Sequence, residues 1–137
     1  MARQAAGAAG GLSAVVIEDD MISRTLLRGL LRGFGVEVVG ETSLGRRGIE
    51  LVETLLPDLV WLDIGLPDID GAQVLAEIRA RAPSVHVVMV TAVSEGERVR
   101  AMLAAGAVGY IVKPYAQVRV LSTLQRLFPS LRFEAAT

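Results

Sequence analysis

Asp58-Leu59-Val60-Trp61-Leu62-Asp63-Ile64-Gly65-Leu66-Pro67, closed by Asp70-Gly71, is the stretch from which the rest of the chain can be read. Four consecutive apolar residues without alternation fit a strand covered on both faces, as in the parallel sheet of an α/β protein. The run ends on a lone acid, Asp63, and the proline and the Asp-Gly pair then mark a loop. Three other runs have the same form. Ala14-Val15-Val16-Ile17 leads into Glu18-Asp19-Asp20, Val87-Val88-Met89-Val90 into Thr91-Ala92, and Val108-Gly109-Tyr110-Ile111-Val112 into Lys113-Pro114. As parallel strands of one sheet, they would bring all four endings to one edge, where open α/β sheets bind ligands. That edge would hold an acidic cluster, a single carboxylate, a hydroxyl and an ammonium, all groups that handle phosphate. Lys113 is the only lysine among 14 basic residues. A chain that otherwise uses arginine keeps a compact point charge at one place, and the two are not interchangeable.

Helical patterns alternate with these runs. Ile22, Leu26, Leu27, Leu30 and Leu31 recur at helical spacing and are closed by Gly33 and Gly35. Val36-Glu37-Val38-Val39 reads as a more exposed strand. Residues 44–56 form a second helix, with Leu44, Ile49, Val52, Leu55 and Leu56 inward and Pro57 stopping it. Val74, Leu75 and Ile78 define a third helix ending before Pro83. Ser94 and Glu97 have capping-box spacing ahead of Val99, Met102 and Leu103, and Val118, Leu121, Leu124 and Leu127 line a fifth helix. Five β-α units with short links predict an α/β fold with a parallel sheet covered by helices on both faces.

The 137 residues suit one domain with a real core, and 52% of them are apolar with few aromatics. A net charge of -1 and a pI near 5.8 give no basic surface for nucleic acid. The absence of cysteine rules out disulfides and thiolate chemistry and fits a cytoplasmic protein. No apolar stretch approaches the roughly 20 residues that span a bilayer. Residues 1–12, mostly alanine and glycine, read as a disordered leader or an expression remnant. Residues 129–137 read as a short tail, in which Leu131 and Phe133, with Phe128 before them, could fold back on the body.

Glu18, Asp19 and Asp63 together suit a hard divalent cation, which takes oxygen ligands and keeps several waters. With no histidine or cysteine beside them they do not suit zinc. One carboxylate beside such a cation can attack phosphorus and become an aspartyl phosphate. Phosphoryl transfer is mainly positioning and neutralisation of three equatorial oxygens, for which Lys113, Thr91 and backbone N–H groups are available. Asp63 stands alone on a central strand, whereas Glu18 and Asp19 sit together as metal holders. Asp63 is therefore the expected nucleophile.

In their order, these segments resemble the response-regulator receiver domain of two-component signalling over residues 13–127, with the domain assigned to 13–128. Val15-Val16-Ile17-Glu18-Asp19-Asp20 is similar to the family's acidic pocket, and Asp58 to Pro67 with Asp70-Gly71 to its phosphoacceptor segment. Val88-Met89-Val90-Thr91-Ala92 is similar to the hydroxyl switch segment. Ala105-Gly106-Ala107-Val108-Gly109-Tyr110-Ile111-Val112-Lys113-Pro114-Tyr115 is similar to the lysine-proline segment, with an aromatic three residues before the lysine.

The resemblance implies a flavodoxin-like, doubly wound (βα)5 fold with strand order 2-1-3-4-5. It implies Mg2+, or Mn2+, on Asp19, Asp63 and the Gly65 carbonyl, with Glu18 acting through water. Lys113 would pair with the phosphoryl group, the bond to Pro114 would be cis, and Thr91 and Tyr110 would act as the switch pair. The implied donor is a phosphohistidine of a sensor histidine kinase or a histidine phosphotransfer protein. The implied output is a protein target met by the face formed from the fourth helix, fifth strand and fifth helix. Gly65 and Val93 depart from the commoner family pattern at positions that govern water access, leaving the lifetime of the phosphorylated state open.

Other readings fit less well. A receiver excised from a hybrid kinase or DNA-binding regulator is disfavoured by a sequence running from Met1 to a non-helical tail. An aspartyl-phosphate hydrolase would need an acid at Gly65. A flavin-binding protein would need a Ser/Thr/Gly phosphate loop where Glu18-Asp19-Asp20 stands. A degenerate, binding-only receiver is excluded because every catalytic position is filled. Asp20 is expected to cap a helix, Trp61 to be core, His86 to be structural or on the surface, and Arg46-Arg47 and Arg79 with Arg81 to be solvated. Glu97, Arg98, Arg100 and Arg119 are too few to specify a charged dimer interface, so a monomer and a phosphorylation-dependent dimer both stay open.

Overall fold

The structure, a computed structural model, describes residues 11–92 and 96–133. Strands and helices alternate: β1 (Ser13–Ile17), α1 (Met21–Gly33), β2 (Glu37–Thr42), α2 (Gly45–Leu55), β3 (Leu59–Asp63), α3 (Gly71–Arg81), β4 (His86–Thr91), α4 (Gly96–Ala104), β5 (Gly109–Val112) and α5 (Gln117–Leu127). All neighbouring strands are parallel, in the order β2-β1-β3-β4-β5. The expected flavodoxin-like topology is the one observed. Calls on Val93, on the Ser94 cap and on residues 1–10 and 134–137 lie outside the described residues.

The central strands β1, β3 and β4 bury both faces, and their period of two divides the core. Val15, Ile17, Val60, Leu62, Val87 and Met89 pack with Ile49 and Val52 of α2 and Val74, Leu75 and Ile78 of α3. Ala14, Val16, Leu59, Trp61, Val88 and Val90 pack with Leu27 and Leu31 of α1 and Val120 and Leu124 of α5. Continuous apolar runs are thus required by two separate cores sharing one sheet.

Helix phase is where the sequence pattern misleads. Ile22 is 75% and Val118 69% exposed, and Leu26, Leu44, Leu55, Leu56 and Leu103 are exposed too. Helices docked on a twisted sheet present a narrower buried stripe than their leucines suggest: Leu27 and Leu31 in α1, Val120, Thr123 and Leu124 in α5. In α2 the buried stripe runs through Gly45 and Gly48 to Ile49 and Val52, so the flanking leucines face outward. Leu56 closes this helix in the left-handed region (φ 45°), just before Pro57.

Four local expectations are settled by contacts. Leu12, read from sequence as leader, is fully buried, and its carbonyl accepts from Glu37 N–H at 2.9 Å. Phe128, Leu131 and Phe133 do fold back on the α1/α5 core. His86 is structural, its ring edge-on to Phe128 at 5.2 Å. Arg79 is not merely solvated, since its Nη1 donates to the Val85 carbonyl at 2.8 Å and braces the α3–β4 turn.

Gly48 lets α2 lie directly on β1, because a Cβ there would collide with the Ile17 side chain. Gly48→Ala should therefore destabilise by about 1–3 kcal/mol through overpacking, measured by urea unfolding. Adding Ile17→Val, which trims the colliding methyl, should recover part of that loss; additive losses would contradict the close-approach account.

Candidate functional site

Strand parity carries the site. Glu18 follows Val16, Asp63 follows Trp61, and Lys113 follows Ile111, each two residues on from a side chain in the α1/α5 core. The carboxyl ends of three strands therefore send an acid, an acid and a base to the same side of the sheet. Thr91 ends β4. Asp19 and Asp20 lie in the β1–α1 loop, where Asp20 Oδ2 accepts from Ser23 N–H at 2.9 Å and caps α1 as expected.

Glu18 is 1%, Asp63 5% and Thr91 2% exposed. Lys113 Nζ lies 2.8 Å from Glu18 Oε1 and 3.3 Å from Asp63 Oδ2. Tyr115 donates its O–H to Glu18 Oε1 at 2.8 Å, and the Asp20 N–H donates to Glu18 Oε2 at 3.1 Å. The Gly65 N–H donates to Asp63 Oδ1 at 3.1 Å. The Lys113 N–H donates to the Thr91 carbonyl at 2.7 Å, tying β5 to β4, and the Lys113-Pro114 bond is cis. A cleft of about 310 Å³ opens between these loops, lined by Asp19, Asp63, Gly65, Thr91, Arg98 and Lys113 among others. Tyr110 lies away from it, part-exposed on β5 beside α5.

The electrostatics follow from burying like charges. Burial, then hydrogen bonding to Glu18 and Asp19 and the charge of Glu18, push the Asp63 carboxyl up to about 7. Burial also opposes ionisation of Glu18. Its hydrogen bonds with Asp63, Lys113, Asp20 N–H and Tyr115 outweigh that and hold it below the ordinary glutamate value. Lys113 is held above its ordinary value: burial works the other way and is overcome by its hydrogen bond to Glu18 and the charges of Asp63 and Glu18. Burial, followed by the charge of Glu18, pushes the Tyr115 hydroxyl up, so it stays a donor.

Glu18, Asp19 and Asp63 offer oxygens within 4.8 Å of one another. Three carboxylates against one ammonium leave negative charge to be neutralised, and an all-oxygen set fits a hard divalent cation. Among the described residues, all those expected at the site from sequence converge here except Tyr110, which is separate; Val93 lies outside the described residues. Sequence reading gave no role to Tyr115 and saw Arg98 only as an interface charge. A tyrosine two residues past Lys113, in a buried segment, needs an acceptor for its O–H; that was the available signal.

The family model described as "Response regulator receiver domain" matches residues 14–125. The chain belongs to that family. Receivers are the signalling switches of two-component systems, and they bind Mg2+ in an acidic cleft of this kind. This receiver is 34% identical over 115 residues to the chemotaxis protein CheY of Listeria monocytogenes, covering 84% of this chain and 97% of the relative. The receiver domain of the sensor histidine kinase PA1611 from Pseudomonas aeruginosa, solved with magnesium coordinated in its active-site cleft, superposes with a TM-score of 0.78 at 29% identity. That match covers 89% of this chain and all of the other. CheY in a CheX–CheY–BeF3–Mg complex from Borrelia burgdorferi gives a TM-score of 0.83 at 23% identity, covering 87% of this chain and 90% of that one, which speaks to the fold. Among the described residues of this receiver no helix is long and apolar enough to cross a membrane.

Two outcomes follow from the charge cluster. Tyr115→Phe removes one donor from a buried carboxylate and should destabilise by about 1–2 kcal/mol in urea unfolding. For Asp63, whose folded pKa is raised from 3.8 to about 7, the folded state alone holds the proton between these values. Stability contributed by the neutral carboxyl is therefore lost as pH rises through that window. In chelator, wild type should weaken relative to Asp63→Asn between about pH 4 and pH 7, and saturating Mg2+ should remove the trend. A pH-independent difference would contradict the burial argument.

Proposed function

We propose that this receiver is a phosphorylation-dependent switch in which Asp63 accepts a phosphoryl group from the phosphohistidine of a sensor histidine kinase or a histidine phosphotransfer protein. The observation that supports it most is the setting of the Asp63 carboxyl. It is buried at the end of a central strand, has one oxygen held by Gly65 N–H, and has the other beside Lys113 Nζ. An Asp63 oxygen forms the new bond to phosphorus as the phosphorus–nitrogen bond to the donor imidazole breaks, and the ring nitrogen leaves with the electron pair. In this reading Asp19, Asp63 and the Gly65 carbonyl hold Mg2+. Glu18, both of whose oxygens are already engaged, acts through water and keeps Lys113 in place. The cation, when bound, offsets the charge of the carboxylates and of the phosphoryl oxygens.

Lys113 pairs with one phosphoryl oxygen and the Thr91 hydroxyl moves toward another. Tyr110 then turns inward from its part-exposed position, and the α4-β5-α5 face changes shape for a downstream protein target. That is a local charge change biasing a two-state element. The receiver catalyses only its own phosphorylation and dephosphorylation. Gly65 adds no side chain over the phosphoryl site, since a Cβ there would meet nothing within 4 Å. Water access is thus left to neighbouring groups.

Incubation with acetyl phosphate should add one phosphoryl mass to the intact protein only when Mg2+ is present, and none to Asp63→Asn. Beryllofluoride should change Trp61 fluorescence under the same conditions. A folded wild type that neither gains mass nor responds to beryllofluoride would sink the reading.

A further inference from the structure

The cleft contains a second cation that the acidic pocket does not use. Arg98, in the first turn of α4, lines the cleft together with Asp63, Gly65, Thr91 and Lys113. Its Nη2 lies 3.1 Å from Asp70 Oδ1 and 3.3 Å from Asp70 Oδ2, so the side chain reaches from α4 to the β3–α3 loop at the mouth of the cleft. Asp70 has its own task, accepting from Ala72 N–H at 2.8 Å as the N-cap of α3. The pair is exposed, 42% on the arginine side chain and 57% on the aspartate, and an exposed ion pair of this kind contributes little. Lys113, by contrast, already lies between two buried carboxylates, Glu18 and Asp63. On the Gly65 side nothing stands where a side chain would be. Among the described residues lining the cleft, the one cation outside the acidic pocket is therefore a guanidinium paired with a single exposed carboxylate.

A phosphoryl group carries nearly two negative charges and three strong acceptor oxygens, and a guanidinium matches that geometry with paired donors. Asp70 offers one charge. We propose that Arg98 is a phosphoryl-binding residue of this site, resting on Asp70 until an anionic phosphodonor enters and then transferring to the phosphoryl group on Asp63. This rests on the proposed role of Asp63 as acceptor and goes beyond it in two respects. It gives the site selectivity for anionic small-molecule donors such as acyl phosphates. It also ties the first turn of α4 to the phosphorylated residue, while the guanidinium covers the opening that Gly65 leaves.

The test uses the full chain with saturating Mg2+ and compares wild type, Arg98→Ala, Arg98→Lys and Asp70→Asn. The readouts are kcat/KM for autophosphorylation by acetyl phosphate and beryllofluoride affinity from Trp61 fluorescence. Arg98→Ala should lower both by about tenfold, and Arg98→Lys should recover part of each. Asp70→Asn keeps a capping oxygen on α3 but releases the guanidinium, so both readouts should rise. A merely structural ion pair would make the alanine and asparagine variants change in the same direction, and that result overturns the proposal. Unchanged values in Arg98→Ala, with wild type still phosphorylated on Asp63, overturn it as well and leave the acceptor role intact. A wild type that takes neither acetyl phosphate nor beryllofluoride removes both together.

Discussion

Two buried carboxylates, Glu18 and Asp63, face each other at the end of the sheet with one lysine between them, and much of the molecule is arranged around that burden. Like charges this close, out of water, raise the cost of ionising each other. The protein meets the cost unequally. Glu18 receives the Tyr115 hydroxyl, the Asp20 N–H and the closer approach of Lys113, so it stays charged. Asp63 has only Gly65 N–H and a longer contact to Lys113, and burial beside the other acids pushes its carboxyl up to about 7. Two acids in one pocket thereby acquire different tasks, one fixed and one responsive.

That asymmetry depends on a rigid scaffold. The strands that lead into Glu18, Asp63 and Lys113 are held in parallel register, and the central ones, β1 and β3, are buried on both faces. The β3–α3 loop is held from beneath by a close backbone contact: a Cβ on Gly71 would lie 2.8 Å from the Asp63 carbonyl oxygen and from Ile64 Cα. Glycine there lets α3 begin directly against the acceptor loop. On the other side, Lys113 N–H to the Thr91 carbonyl keeps β5 and β4 in register beside the cleft.

The same arrangement gives the proposed switch a physical route outward. The groups that would respond to a phosphoryl charge are on β4, directly after β5 and on α4: Thr91, Lys113 and Arg98. Helix α4 packs its Met102 into one core, while β5 contributes Ile111 to the other. In that proposal a charge placed on Asp63 would act on elements that belong to both layers, and Tyr110 is part-exposed on β5.

Much of this was legible in the sequence. Continuous apolar runs reveal buried parallel strands because only two-sided burial favours valine and leucine at every position, and Glu18, Asp19, Asp63, Thr91 and Lys113 are legible because each terminates such a run. Helix phase was not: whether Ile22, Leu56 or Val118 faces the sheet depends on how each helix docks, and Gly48 moves that docking in a way periodicity does not register. Leu12 was lost to the leader because its alanine- and glycine-rich neighbours hide a residue that the β1–β2 edge buries. Tyr115 and Arg98 show the limit most clearly. Their identities are in the chain, but a hydroxyl finds Glu18 97 residues away and a guanidinium finds Asp70 28 residues away. Sequence determines which charges and donors exist and which strand ends carry them. Only the folded structure decides which pairs come within bonding distance, because hydrogen bonds and ion pairs depend on separations of a few ångströms that the sheet register and helix docking set.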